Sequence, residues 1–206
     1  MGAEQAIPLF PADEIPWILD TVLSCAGVLR KRHETEREDV ITNRLYKLLR
    51  KAFRSAPFSL AREHSVFDDS DKEGASGRID INFISPPGDE TYFAIEAKRL
   101  HVTFPSGWQS LVGEYTTGEQ GMMCFVSGKY APFQRAAAML GYVFDGDVAK
   151  ARAGISTSVD NNAGRLKLAP PHRLQKSTVL PGQELDETRH NLDSREFIIY
   201  HLLVSV

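Results

Sequence analysis

Cysteine is scarce in this chain. Only Cys25 and Cys124 occur among 206 residues, far apart and in apolar contexts. That number excludes a disulfide-stapled secreted scaffold, and neither residue sits in a Cys/His cluster with zinc spacing. Both are expected as buried free thiols of a reducing cytoplasm. Long apolar runs are missing too, so no membrane span is expected. The first residues carry Glu4 instead of a basic segment, so no secretory leader is expected. Internal repeats and low-complexity tracts are absent. Positive charge is not in excess: Lys and Arg total 24 against 27 Asp and Glu, a net charge of −3, which excludes a protein that coats nucleic acid non-specifically. None of the six histidines forms a pair with helical metal spacing. The triplet Gly128-Lys129-Tyr130 resembles a phosphate loop only superficially, because the glycine run is missing. The length suits one domain, residues 1–206, with a sizeable core.

What is present is a pair of apolar segments joined by a turn. Residues 77–84 read Gly-Arg-Ile-Asp-Ile-Asn-Phe-Ile, residues 85–90 have Pro/Gly/Asp turn chemistry, and residues 91–98 read Thr-Tyr-Phe-Ala-Ile-Glu-Ala-Lys. Two such runs pair as a hairpin. Side chains alternate along a strand. Ile79, Ile81 and Phe83 therefore share one face and Asp80 the other, while Phe93, Ile95 and Ala97 oppose Glu96 and Lys98. Two acids and a lysine converge on one side of a sheet. Clustered carboxylates repel unless a cation stands between them, and oxygen donors suit Mg²⁺. The plain alternative is a surface hairpin whose Glu–Lys pair faces water. Against it, both segments are strongly apolar, and Asp has poor strand propensity.

Asp80, a spacer and then Glu96-Ala97-Lys98 resemble the signature of the PD-(D/E)XK nuclease superfamily, the restriction-endonuclease-like fold. The resemblance implies that Asp80 and Glu96 bind Mg²⁺, with Mn²⁺ able to substitute, that the Ala97 carbonyl assists, and that Lys98 positions or activates the attacking water. Ile79 stands where the motif has Pro. Many members carry a further acid on the helix before the sheet. Here residues 34–53 predict a helix with Ile41, Leu45, Leu48, Leu49 and Ala52 on its apolar face. Glu38 lies one turn before Ile41 and is the candidate fourth ligand, with Glu34 second. Both also suit the first turn of a helix simply as acids near its positive end.

The remaining pattern predicts an αβββαβ core over about residues 34–159, a mixed central sheet flanked by helices, with an N-terminal helix and a C-terminal strand extension. The elements are a helix over 12–31, a strand over 58–67, a helix over 115–126, a buried strand over 139–144, a helix over 148–159 and a last strand over 197–204. Gly118 and Gly121 allow close backbone approach. The acidic stretch 68–77 lacks EF-hand spacing and reads as a hairpin connection. Glu63 is a reserve metal ligand, and His201 reads as a packed sheet residue. Basic residues outnumber acids between Arg30 and Arg62, and Arg44, Lys47 and Lys51 on the second helix are candidates for binding phosphates.

The expectation is a metal-dependent nuclease, acting on DNA before RNA. The sequence has no recognisable base-reading module, so family analogy implies a regulatory or targeting partner, as in bacterial restriction or anti-phage defence, and allows a homo-oligomer. Two other classes stay open: a catalytically silent nuclease-fold subunit that binds nucleic acid or a partner protein, and an unrelated α/β domain whose hairpin acids are structural.

Overall fold

The computed structural model describes residues 8–66, 77–86, 88, 90–192 and 195–206. The stretch read as an acidic hairpin connection falls largely outside them. Helix α1 spans Glu14–Gly27 and buries Ile15, Ile18, Leu19, Val22 and Ala26 at helical spacing. Asp13 precedes it, but its side chain makes no capping bond. Helix α2 spans Glu38–Ala52 and buries Ile41, Leu45 and Leu49. It starts four residues later than the pattern predicts. Arg37 is extended (φ −71, ψ 145), and before it the buried Glu36 turns back to accept from the Arg32 amide at 2.8 Å and the Arg44 guanidinium at 2.9 Å. The chain satisfies itself locally there and leaves Glu38 as the first helical residue.

The strands are β1 Ser59–Val66, β2 Gly77–Ile84, β3 Tyr92–Leu100, β4 Val102–Phe104, β5 Gly107–Gln109, β6 Ala136–Val143, β7 Gln175–Lys176, β8 Asp186–Leu192 and β9 Arg195–Ser205. Seven form one mixed sheet in the order β1-β2-β3-β6-β9-β8-β7, and β4 pairs with β5 as a separate hairpin. The strands β3, β6 and β9 run parallel, and the other pairs are antiparallel. The chain is thus mixed α/β, a seven-stranded sheet flanked by helices. Helix α3 spans Val112–Thr116, α4 Met123–Val126 and α5 Val148–Asn161.

Strand alternation sorts the core into two layers. Ala138, Leu140 and Tyr142 of β6 join the side packed by α1 and α2. Ala137, Met139 and Val143 join the side packed by α3, α4 and α5. Among the described residues no helix is long and apolar enough to cross a membrane. Both cysteines are free.

Three differences from the sequence pattern have local causes. The helix predicted over 115–126 is two short helices. Between them the backbone folds on itself, the Gly118 amide donating to the Gly113 carbonyl and the Met122 amide to the Tyr115 carbonyl. A Cβ at Gly121 would stand 2.2 Å from the Glu114 carbonyl oxygen, so glycine is required. Gly121→Ala is expected to destabilise the fold by about 3 kcal/mol, read as a lowered midpoint in urea. The stretch after Lys98, whose Pro105-Ser106-Gly107-Trp108 predicts a loop, holds the β4–β5 hairpin. Last, β8 was not predicted: its sequence Asp-Glu-Thr-Arg-His-Asn-Leu is polar, yet Asp186, Glu187, Thr188 and His190 are buried.

A chain of hydrogen bonds accounts for part of that polarity. Tyr115 Oη lies 3.0 Å from His201 Nδ1. Thr188 Oγ1 lies 2.9 Å from His201 Nε2 and 2.8 Å from His190 Nε2, and His190 Nδ1 lies 2.7 Å from the Leu166 carbonyl oxygen. His201 is a packed sheet residue, as its context predicts.

Candidate metal and catalytic site

The site lies where β2 and β3 part. Their pairing includes Ile81 with Ile95. Beyond that pair the carboxylate of Asp80 takes the Ala97 amide at 2.8 Å. The side-chain alternation of β2 slips at the same level: Ile81 and Phe83 face α1 and α2, but Ile79 packs on the opposite side, so the three do not share a face as expected. On the neighbouring strand Glu63 has φ 52, the left-handed region. The β1–β2 register resumes on both sides of it, Arg62 opposite Ile81 and His64 opposite Ile79. A non-glycine residue in that region costs on the order of 1 kcal/mol and marks a constrained place in the sheet.

Glu96 and Lys98 follow on β3 and are almost fully buried, at 3 % and 8 % exposure. The Lys98 ammonium donates to Glu96 Oε1 at 2.7 Å, to the Ala97 carbonyl at 2.8 Å and to Glu38 Oε1 at 3.4 Å. The other oxygen of Glu38 accepts from the Arg99 amide at 2.7 Å. The guanidinium of Arg99 in turn donates to the Glu36 carbonyl at 3.0 Å. The strand that carries Glu96 and Lys98 therefore also grips the entry to α2, which fixes Glu38 beside them. Sequence reasoning missed this role of Arg99, although its position next to Lys98 offered a signal.

Asp80, Glu96, Lys98, the Ala97 carbonyl and Glu38 are thus brought together, as expected. Glu34 is not. It sits in the turn before α2, exposed and paired with Lys31 at 3.0 Å. Arg44 is held by Glu36 and the Arg30 carbonyl. Lys47 and Lys51 are exposed on α2 and do not line the cleft.

The cleft over the acids has a volume of about 540 Å³. Besides Glu38, Asp80, Glu96 and Lys98 it is lined by Asp39, Glu63, Arg62, Arg78, Gln120, Lys129 and Tyr130. Of these seven, the sequence singles out Glu63 alone. Arg78 had a legible signal, since it lies two residues before Asp80 in the same strand. Gln120 and Lys129 had none that spacing alone reveals, because the irregular segment after β3 brings them in.

The electrostatics follow from burial. Desolvation, then the nearby Asp80 carboxylate, pushes Glu96 up from 4.5 to about 8 despite Lys98. Burial likewise raises Glu38 and Asp80 against the pull of Lys98. Burial pulls the Lys98 ammonium down, but the carboxylates of Glu96, Glu38 and Asp80 outweigh it and hold it above its ordinary value. Burial, then Glu96, lifts the nearby Cys124 thiol to about 12, which leaves it an inert packing group.

Among the described residues no three His, Cys, Asp or Glu side chains form a ready group for a metal ion. The cause is visible in the contacts. An ammonium stands among the acids, and one oxygen each of Asp80 and Glu38 is taken by a backbone amide. The donors nevertheless suit a hard divalent cation. They are all oxygens, and Glu96 Oε2 is buried with no hydrogen-bond partner, a cost that a bound cation removes. Comparison of the chain with protein-family models, curated proteins and solved structures returned no match.

Proposed function

We propose that this protein is a divalent-metal-dependent phosphodiester hydrolase of the restriction-endonuclease-like type, acting on nucleic acid, with DNA the first substrate to try. One observation carries the reading: acids from α2, β2 and β3 surround one ammonium in a cleft that is open to a ligand. The order α2-β1-β2-β3, then α3 and α4, then β6 is compatible with an αβββαβ core and supports it.

In this reading Asp80, Glu96, the Ala97 carbonyl and Glu38 hold Mg²⁺ or Mn²⁺. The bound ion supplies charge that lowers the pKa of a water and offsets charge building on the phosphate. The Ala97 amide fixes the carboxylate of Asp80. The Arg99 amide fixes that of Glu38, so both acids are oriented before any ligand arrives. Lys98 contributes a compact cation on a flexible stem, able to reach the attacking water and a non-bridging oxygen. Because no base-reading module is recognisable in the sequence, selection of the target falls to a partner protein, by analogy with bacterial restriction and anti-phage systems.

The test is incubation with plasmid, single-stranded DNA and RNA in Mg²⁺, Mn²⁺ or EDTA, beside Asp80→Asn. Metal-dependent cutting that falls to background in EDTA and in Asp80→Asn is expected. Binding without cutting in either metal would instead identify a catalytically silent nuclease-fold subunit. Cutting by Asp80→Asn at the wild-type rate would remove the site assignment.

A further inference from the structure

Among the described residues four cationic side chains line the cleft: Arg62, Arg78, Lys98 and Lys129. Three are engaged by acids. Arg62 lies 3.0 Å from Glu63 Oε1 and also donates to the Asp39 carbonyl at 3.1 Å. Arg78 lies 3.7 Å from Glu63 Oε2. Lys98 is held by Glu96 and Glu38. Lys129 pairs with no carboxylate among the described residues, although the cleft it borders contains Glu38, Asp39, Glu63, Asp80 and Glu96. Its ammonium stands 5.6 Å from the centre of the Tyr130 ring.

The backbone around Lys129 is fixed. Gly128, with φ +77, turns the chain out of α4 in a conformation that suits glycine. Tyr130 anchors the other side. Its amide donates to the Cys124 carbonyl at 2.8 Å, and its hydroxyl donates to the Arg78 carbonyl at 2.8 Å. The tyrosine thus ties this turn to β2 two residues before Asp80. A lysine held at the rim of an acidic cleft by a turn and an anchor, with its own charge unspent, suits an incoming anion.

We infer that Lys129 holds the phosphate: its ammonium binds the non-bridging oxygens of a nucleic-acid phosphodiester presented to the carboxylates. The inference rests on the nuclease reading and adds to it the group that positions the substrate. It also moves the main phosphate contact from the exposed face of α2 to the cleft itself. Lys129 is a binding residue and takes no part in bond making.

The experiment is fluorescence anisotropy with a labelled 20-nucleotide single strand and its duplex, using Asp80→Asn with and without Lys129→Ala and Lys129→Arg. Lys129→Ala is expected to weaken binding about tenfold, equally for different sequences, and to reduce the salt slope of log Kd by about one. Lys129→Arg recovers most of the affinity, since charge is what matters to a phosphate. In the otherwise wild-type enzyme Lys129→Ala raises KM while kcat and calorimetric Mn²⁺ affinity hold. If Lys129→Ala binds within twofold of its parent with an unchanged slope, the role is refuted and the nuclease reading survives. A protein that takes up Mn²⁺ but neither binds nor cuts any oligonucleotide sinks both.

Discussion

Glu96→Gln is expected to abolish metal-dependent cleavage and, in the same protein, to raise the stability of the metal-free fold. Both effects have one origin. The carboxyl of Glu96 is buried beside Asp80 and Glu38, and burial lifts it from 4.5 to about 8. A folded-state value above the unfolded one means that the native protein binds the extra proton between those limits. The stabilising contribution of this one group is then full below about pH 4.5 and is lost as the pH rises to about 8. Glutamine copies the neutral acid without that proton. At pH 7 the metal-free variant gains about 3 kcal/mol, on the order of 5–10 °C in Tm. Its melting curve also loses the fall between about pH 4.5 and 8 that Glu96 alone contributes. Metal should act in the reverse sense. Mn²⁺ needs the ionised form, so wild-type affinity is expected to climb with pH and level off near 8, whereas Glu96→Gln binds weakly throughout. Thermal melts from pH 5 to 9, with and without Mn²⁺, test all of this. A metal-free Glu96→Gln protein that melts below wild type at pH 7 would remove the claim that these acids repel.

Lys98→Met is expected to act in the opposite direction. Among the described residues Lys98 is the one cation that touches both Glu96 and Glu38, and it is itself buried. Its removal takes the ion-pair partner from Glu96 and Glu38 in a desolvated place, a loss on the order of 3–5 kcal/mol at neutral pH. Protonation relieves that repulsion, so the deficit shrinks in acid. Divalent metal should relieve it too. In wild type an entering ion competes with the ammonium for Glu96 and for the Ala97 carbonyl. Without the ammonium that competition is gone, so Lys98→Met should bind Mn²⁺ more tightly than wild type, by about tenfold. It should also regain most of its lost Tm on binding, yet remain unable to cut. Calorimetry on both proteins decides the point. Equal or weaker Mn²⁺ affinity in Lys98→Met would show that the lysine does not stand in the ion's place.

The parts of this molecule that sequence made legible are those where one local pattern governs. The hairpin of Asp80 and Glu96 was readable because apolar alternation and a Pro/Gly turn both act over a few residues. The convergence of Glu38 followed from the family resemblance, which implies an acid on the helix before the sheet, and helical spacing singled out Glu38 by its place beside the stripe headed by Ile41. Its helix start was not readable, since a buried Glu36 that bonds to Arg32 and Arg44 overrides the pattern. Strand β8 was hidden for a related reason. Its polar residues are satisfied by partners remote in the chain, such as Asp186, gripped by Arg152 through two bonds of 2.6 Å. The wall of the cleft that carries Gln120 and Lys129 was invisible because irregular backbone has no period to read.

The line of rings and hydroxyls from Tyr115 to His190 bears on acid tolerance. Each imidazole there is confined to one hydrogen-bonding pattern, and burial drops His201 to about 3 and His190 to about 4. An unfolded histidine takes its proton near 6.5, so acidification below that point favours the open chain. The metal-free molecule is therefore squeezed from two separate directions: rising pH weakens it by ionising the buried Glu96, and falling pH weakens it through a pair of imidazoles sealed within the sheet. Resistance to one extreme can be altered without touching the other.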